Sequence, residues 1–333
     1  MTEQQYDKLL KDILQKYNKK KPDIPARILD KSIDNISKVY ADSYKKLFVE
    51  LLEQIYEDFG VLSDAGYQAQ LKLLQMIESR LAEIDANIMN QVTVELEKAY
   101  ASAGIFHTLA TETVKTIEEL KGYVPYSQLN NFKMEQIVAD TMEDLLFATK
   151  HTEKELKKFV RETFAKNLQY HALKNENRFN IQKLIEKELS KKMLEESLKK
   201  KGFVGIIDSA GRKWNTKNYV DMAVSTKMNQ AYTEGLKDRA KETGKDLAVI
   251  PEKGASDSCK YFEGMIISLT GETKGFSTYD QLKASGLIFH PRCQHSPCPI
   301  GKLELIPDED IAFHNKKVKE LKNIPKKNKK SKK

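Results

Sequence analysis

His290-Pro291-Arg292-Cys293-Gln294-His295-Ser296-Pro297-Cys298-Pro299, with Cys259 upstream, is the stretch on which the reading of this 333-residue chain turns. It gathers all three cysteines and two of the six histidines. Zinc takes about four Cys or His ligands in a tetrahedron, and short spacings such as Cys-x2-Cys or Cys-x2-His are the usual way to supply them. The spacing here is His-x2-Cys-x-His-x2-Cys. Cys259, His290, Cys293, His295 and Cys298 are therefore candidate ligands of a structural zinc, at most about four of them at once. A second reading stands beside it: Pro291, Pro297 and Pro299 forbid helix and impose extended or turned backbone, which also suits a rigid loop with buried thiols. A disulfide is disfavoured because three cysteines leave one unpaired. A catalytic thiol is disfavoured because the sequence names no His and acid to orient beside Cys259.

Upstream of this stretch the texture is that of a small α+β domain, over about 202–305. Phe203-Val204-Gly205-Ile206-Ile207 followed by Asp208-Ser209-Ala210-Gly211 predicts a strand and a tight turn. Leu247-Ala248-Val249-Ile250 and Met265-Ile266-Ile267-Ser268-Leu269 predict two buried strands. Between the first strand and these two, Asn215 or Thr216 can cap a helix over about 218–242 that stops at Gly244. A short helix around 278–284 precedes the Cys/His stretch.

Further upstream, residues 1–201 read as helix almost throughout. Ile33, Ile36, Val39, Tyr40, Tyr44, Leu47, Phe48, Leu51, Leu52 and Ile55 paint one apolar stripe, and Leu71, Leu74, Ile77, Leu81, Ile84, Ile88, Val92, Leu96 and Tyr100 another. The first stripe predicts a helix over about 32–59 and the second one over about 67–103. Gly104 is expected to end the second, with further helices over about 106–120, 133–149, 152–171 and 178–200, and a short one over 3–17. Such stripes must pack on each other or on copies of the protein, as a bundle or as a long helical arm. His107, His151 and His171 are isolated and read as ordinary surface or boundary histidines.

Charge is concentrated at one end. Residues 315–333 hold ten of the lysines and one Glu, a local +9 in a chain of net +8, so the rest is close to neutral. Residues 306–333 are expected to form a basic, unfolded tail whose Lys326, Lys327, Lys329, Lys330, Lys332 and Lys333 suit phosphate contact without sequence readout. A merely solubilising tail fits the same composition. No apolar run approaches the roughly 20 residues of a membrane span, and the N-terminus is too polar for a signal peptide, so the cytoplasm is the expected compartment.

Several spaced elements are familiar as a set: Asp208-Ser209-Ala210-Gly211-Arg212-Lys213-Trp214-Asn215, Tyr219-Val220-Asp221-Met222, Asp246-Leu247, Cys259, Gly264, Ser268-Leu269-Thr270-Gly271 and Cys293-Gln294-His295-Ser296. In this order they resemble the phage minor capsid protein 2 family, and more distantly the Mu F-like head-morphogenesis proteins, over about a third of the chain. The resemblance implies a structural protein of a phage or prophage head, present in the virion and in the host cytoplasm during assembly. It implies phage portal and capsid proteins as partners, with self-association and contact with packaged DNA open to it. Two departures stand out: Ser225-Thr226 where the family pattern has Arg-Thr, and Gln294 where it has Arg.

Rival functions fit less well. A zinc deaminase needs His-x-Glu ahead of Pro-Cys-x-x-Cys, and only Pro297-Cys298 is here. Gly271-Glu272-Thr273-Lys274-Gly275 lacks phosphate-loop spacing, and an HNH-type nuclease or toxin domain would need more His, Asn and acidic residues downstream. A zinc-dependent nucleic-acid-binding protein is the other alternative, supported by the tail and opposed by the neutral body.

Overall fold

The structure is a computed structural model that describes residues 1–18, 24–60, 65–126, 131–173, 183–192, 204–207, 213–301 and 303–322. Its helices are α1 (Glu3–Asn18), α2 (Ile24–Gly60), α3 (Ala65–Thr111), α4 (Ile117–Tyr123) and α5 (Asn131–Leu173), then α6 at residues 183–192. Strands β1 (Val204–Ile207) and β2 (Lys213–Asn215) precede α7 (Thr216–Thr243), β3 (Leu247–Val249), β4 (Ile266–Ser268), α8 (Tyr279–Ala284), β5 (Cys298–Pro299) and α9 (Asp308–Lys322). The fold is α+β: helices dominate, and a small antiparallel sheet of order β4-β3-β5 lies in the C-terminal part. Strands β1 and β2 form a separate antiparallel pair. The turn expected at 208–211 and the ends of the helix expected over 178–200 lie outside the described residues. Among the described residues no helix is long and apolar enough to cross a membrane.

Two compact units are drawn from interleaved segments. In the unit formed by residues 32–93 and 138–224, the apolar stripes of α2, α3 and α5 are buried. Tyr40 meets Thr149 at 2.9 Å and Tyr44 at 3.1 Å, and Thr149 donates to Asp85 at 2.8 Å, so one buried polar cluster joins all three helices. Of the two packings open to the stripes, this unit is a bundle. The seam of α3 begins one step off the expected phase, with Ala69 and Leu73 buried and Leu71 exposed.

In the other unit, formed by residues 1–31, 94–137 and 225 onward, α1 packs on the C-terminal half of α3 and on α4 through Tyr6, Leu10, Ile13, Ala101, Ile105 and Leu120. Helix α4 begins with a reciprocal cap between Thr116 and Glu119. Helix α3 runs straight through Gly104, against expectation. Ala99, Ala101, Ala103, Ile105, Phe106 and Leu109 are all buried around it, and this burial outweighs the roughly 1 kcal/mol that glycine costs a helix. Likewise α5 is continuous where two helices were expected, with Thr152 Oγ1 bonding back to Ala148 O at 3.0 Å across the supposed gap.

Helix α7 crosses α3 at Gly235. A Cβ there would overlap the carbonyl oxygen of Tyr100 and lie 2.9 Å from Ala103 Cβ, so only glycine lets the two backbones approach. The crossing brings Arg239 Nε to Thr108 Oγ1 at 3.0 Å and Lys245 Nζ to Thr111 O at 2.7 Å, with Glu112 beside it. It also buries His107 completely, its Nε2 donating to Lys245 O at 2.9 Å. His107 is thus a core residue, not the surface or boundary histidine its isolation suggested.

Beyond the sheet, residues 308–322 form α9 where an unfolded tail was expected. Asp308, Glu309 and Asp310 occupy its first turn, where the helix dipole favours acids. The Ile266 N–H on edge strand β4 donates to the buried Nδ1 of His314 at 3.2 Å, and the ring of Phe313 lies on Gly264 (φ +81°), which has no side chain to block it. The helix therefore covers a sheet edge that would otherwise present unpaired groups. Residues 323–333, with all six candidate lysines, lie outside the described part.

Two outcomes follow for stability. Gly235→Ala should destabilise by about 1–3 kcal/mol in urea unfolding although alanine favours helix, whereas Gly122→Ala, which meets nothing within 4 Å, should be neutral or stabilising. Burial holds the His107 imidazole at about 4, so stability should fall as the pH drops from 6.5 towards 4, by about 3 kcal/mol in all. Unfolding midpoints of a His107→Asn variant should lack that part of the acid dependence.

Candidate metal centre

Cys259 sits in a 3₁₀ turn, Ser258–Tyr261, whose N-cap is Asp257; the carboxylate accepts the Cys259 N–H at 3.0 Å and so fixes where the thiol stands. Cys293 is set by a turn in which its N–H donates to His290 O at 2.9 Å. Pro291 and Arg292 (φ +64°) are the central residues, the pattern of a type II turn with a non-glycine residue in the left-handed region. Phe289 (φ +55°) enters the same turn and is held by ring contact with Tyr279 at 4.4 Å. Such backbone costs of order 1 kcal/mol per residue and persists where the surroundings fix it. Asn229 of α7 supplies part of that fixing, donating to Cys293 O at 3.0 Å and accepting from Ser296 Oγ at 3.1 Å.

These turns bring four of the five candidate ligands together. Cys259 Sγ is 3.7 Å from Cys293 Sγ, and Cys293 Sγ is 3.4 Å from His295 Nδ1. His290 Nε2 approaches Cys259 Sγ and Asp257 Oδ2, each at 3.2 Å. Two triads result, Cys259-Cys293-His295, wholly buried, and Asp257-Cys259-His290, partly exposed, each with ligand atoms within 4.8 Å of one another. They share Cys259. Cys298 joins neither; it pairs with Val249 in the sheet, and its Sγ lies 3.9 Å from Ser296 O.

Two carboxylates that sequence reasoning passed over complete the surroundings. Asp257 caps Cys259, a role its position two residues upstream could have signalled. Glu263 accepts from His295 Nε2 at 2.9 Å and from the N–H groups of Lys253 and Ala255 at 2.9 and 3.0 Å, which depends on the 253–255 loop folding back and leaves no mark in the spacing. Electrostatics follow the contacts. Burial pushes the Cys259 thiol up, and the adjacent Cys293 adds to it. Burial also works to raise Cys293, but the hydrogen bond with His295 outweighs it and the thiol ends below its usual range. The same bond, with Glu263, raises His295. The cluster can thus present thiolate and imidazole to a soft or borderline cation.

The same compact unit holds a second polar cluster. The Asp246 carboxylate is buried and accepts from Ser268 Oγ, from Thr270 N at 2.7 Å and Oγ1 at 2.6 Å, and from Thr273 N at 3.0 Å; Gly271 N donates to Ser268 Oγ at 2.7 Å. Asp246-Leu247 and Ser268-Leu269-Thr270-Gly271, separate in sequence, are one clamp that ties β3 to the end of β4. A model of the family described as phage minor capsid protein 2 matches residues 24–331. The chain belongs to the phage minor capsid protein 2 family. It is accordingly a structural component of the phage head. No curated protein and no solved structure matches it.

The Asp246 carboxylate lies below its usual range: burial works against the charge, and the Ser268 and Thr270 hydrogen bonds prevail. Asp246→Ala should therefore cost about 3 kcal/mol or more at neutral pH, read from urea unfolding, because several buried donors lose their acceptor. The difference between variant and wild type should shrink as the pH falls from about 3.9, the unfolded-state value, through the lower folded-state value at which the wild-type carboxylate takes up its proton.

Proposed function

We propose that this minor capsid protein serves head assembly next to the portal or the inner procapsid wall. In this reading the helical region, 1–201, supplies interaction surface towards portal and capsid proteins and towards other copies of the chain. The C-terminal α+β region is a rigid docking unit stapled by a structural zinc at the Cys/His cluster. Lysines 326, 327, 329, 330, 332 and 333 meet packaged DNA without reading its sequence. The observation that carries the proposal is the family match over residues 24–331. The convergence of Cys259, Cys293 and His295 supports the staple, and the confinement of net positive charge to the last residues of an otherwise nearly neutral chain supports the DNA contact.

The experiment compares full-length protein with a chain lacking Pro325–Lys333. Protein mass spectrometry of purified heads should find both incorporated, and cross-linking in procapsids should join both to the portal. DNA binding by the full chain should weaken steeply with salt, with log affinity falling by up to about 5 per tenfold salt for six phosphate contacts, and truncation should abolish that dependence. A truncated chain that still selects one DNA sequence, or heads that lack the protein, would overturn the proposal.

A further inference from the structure

We infer that the cluster is a single zinc centre with a defined ligand set: Cys259 Sγ, Cys293 Sγ, His295 Nδ1 and His290 Nε2, with Glu263 as the carboxylate behind His295 and Cys298 outside the set. This deepens the reading above and rests on its zinc staple. Distances are the first support. With Zn–S of about 2.3 Å and Zn–N of about 2.0–2.1 Å, a tetrahedral zinc places two sulfurs about 3.8 Å apart and a sulfur and a nitrogen about 3.6 Å apart. The sulfurs here are 3.7 Å apart, and the sulfur–nitrogen separations are 3.4 Å at His295 and 3.2 Å at His290.

Tautomers are the second. Glu263 can only accept, so the proton of neutral His295 sits on Nε2 and Nδ1 turns a lone pair towards the sulfurs. His290 has an acceptor at each ring nitrogen, Pro291 O 3.0 Å from Nδ1 and Asp257 Oδ2 3.2 Å from Nε2, so Nε2 presents its lone pair to the metal once the proton it shares with Asp257 is released and Nδ1–H is held by Pro291 O. The His295 lone pair aimed at two thiols, with a second imidazole at the edge of Cys259, forms a donor set for a cation. A carboxylate behind a ligating histidine is the usual means of fixing its ring and raising its basicity.

Closure of the fourth edge is the third. His290 shares Cys259 with the buried triad but now leans on Asp257, whose side chain is 54% exposed. Water competes for that carboxylate, so a turn of the imidazole from Asp257 onto the metal costs little. Cys298 has no comparable route, because its backbone is fixed in β5 opposite Val249 and it belongs to neither triad.

The test uses full-length protein loaded with zinc, then with cobalt(II), read by elemental mass spectrometry, chelator competition and the cobalt absorption spectrum. Wild type and Cys298→Ser should each hold about one zinc per chain and show the intense visible bands of tetrahedral cobalt with sulfur charge transfer. His295→Ala and Cys293→Ser should lose the metal. Because those two can also unfold the region, Glu263→Gln and His290→Ala are the deciding variants: both should stay folded, Glu263→Gln binding about 10–100-fold more weakly and His290→Ala, which removes a ligand, more weakly still. Loss of metal in Cys298→Ser, or unchanged affinity in Glu263→Gln or His290→Ala, would overturn the ligand set while leaving a zinc staple standing. Folded wild type without zinc would remove the staple itself, and the head assignment would still be judged separately by the particle composition.

Discussion

The approach of α7 to α3 at Gly235 is the constraint from which the C-terminal architecture follows. With no side chain at that position, the backbone of α7 rests on the Tyr100 carbonyl, and this fixes where the helix ends. Arg239 on Thr108, and Lys245 on Thr111 and Glu112, then hold the exit from α7, so β3 starts at a defined point. From β3 the Asp246 clamp sets β4, the loops between and after these strands carry Cys259 and the His290–Cys293 turn, and Asn229 ties that turn back to α7. The helix that begins the arrangement also closes it.

Buried polar groups in this unit are costly, and three of them, His107, Asp246 and Glu263, are matched by partners. His107 is kept neutral by burial and spends its proton on Lys245 O. Asp246 keeps its charge because four donors surround it. Glu263 stays ionised for the same reason, holding two backbone N–H groups as well as His295. An unpaired donor or acceptor at any of these places would cost about 1–3 kcal/mol, a large share of the stability of a domain, so the polar network specifies one arrangement of the loops around the thiols.

For a head protein these properties divide sensibly. Long helices bury their apolar seams, the sheet region presents short loops held at several points, and the excess positive charge lies at the chain end. Edge strand β4 is covered by α9 through His314 and Phe313, which removes a site where unpaired strand groups would invite pairing with other copies in a crowded assembly.

By itself the sequence determined the helical character of the first two hundred residues, the strands near 247 and 266, the short helix near 278–284 and the gathering of Cys and His near the end, because all of these are local. Periodicity records which face is buried, and capping or turn chemistry acts within a few residues. The tertiary structure decided what depends on distant partners. Helix α3 passes Gly104 because the surrounding small residues are packed by α1 and α4, and α9 folds because β4 offers it an edge and Gly264 a seat. His107 is a core residue because α7 crosses above it. The same holds at the cluster: spacing named five possible ligands, but convergence of Cys259, Cys293 and His295, the place of His290 beside Asp257, the part of Glu263 and the exclusion of Cys298 all rest on loops meeting in space. Ligand geometry is a property of three-dimensional distance, and sequence separation carries little information about it.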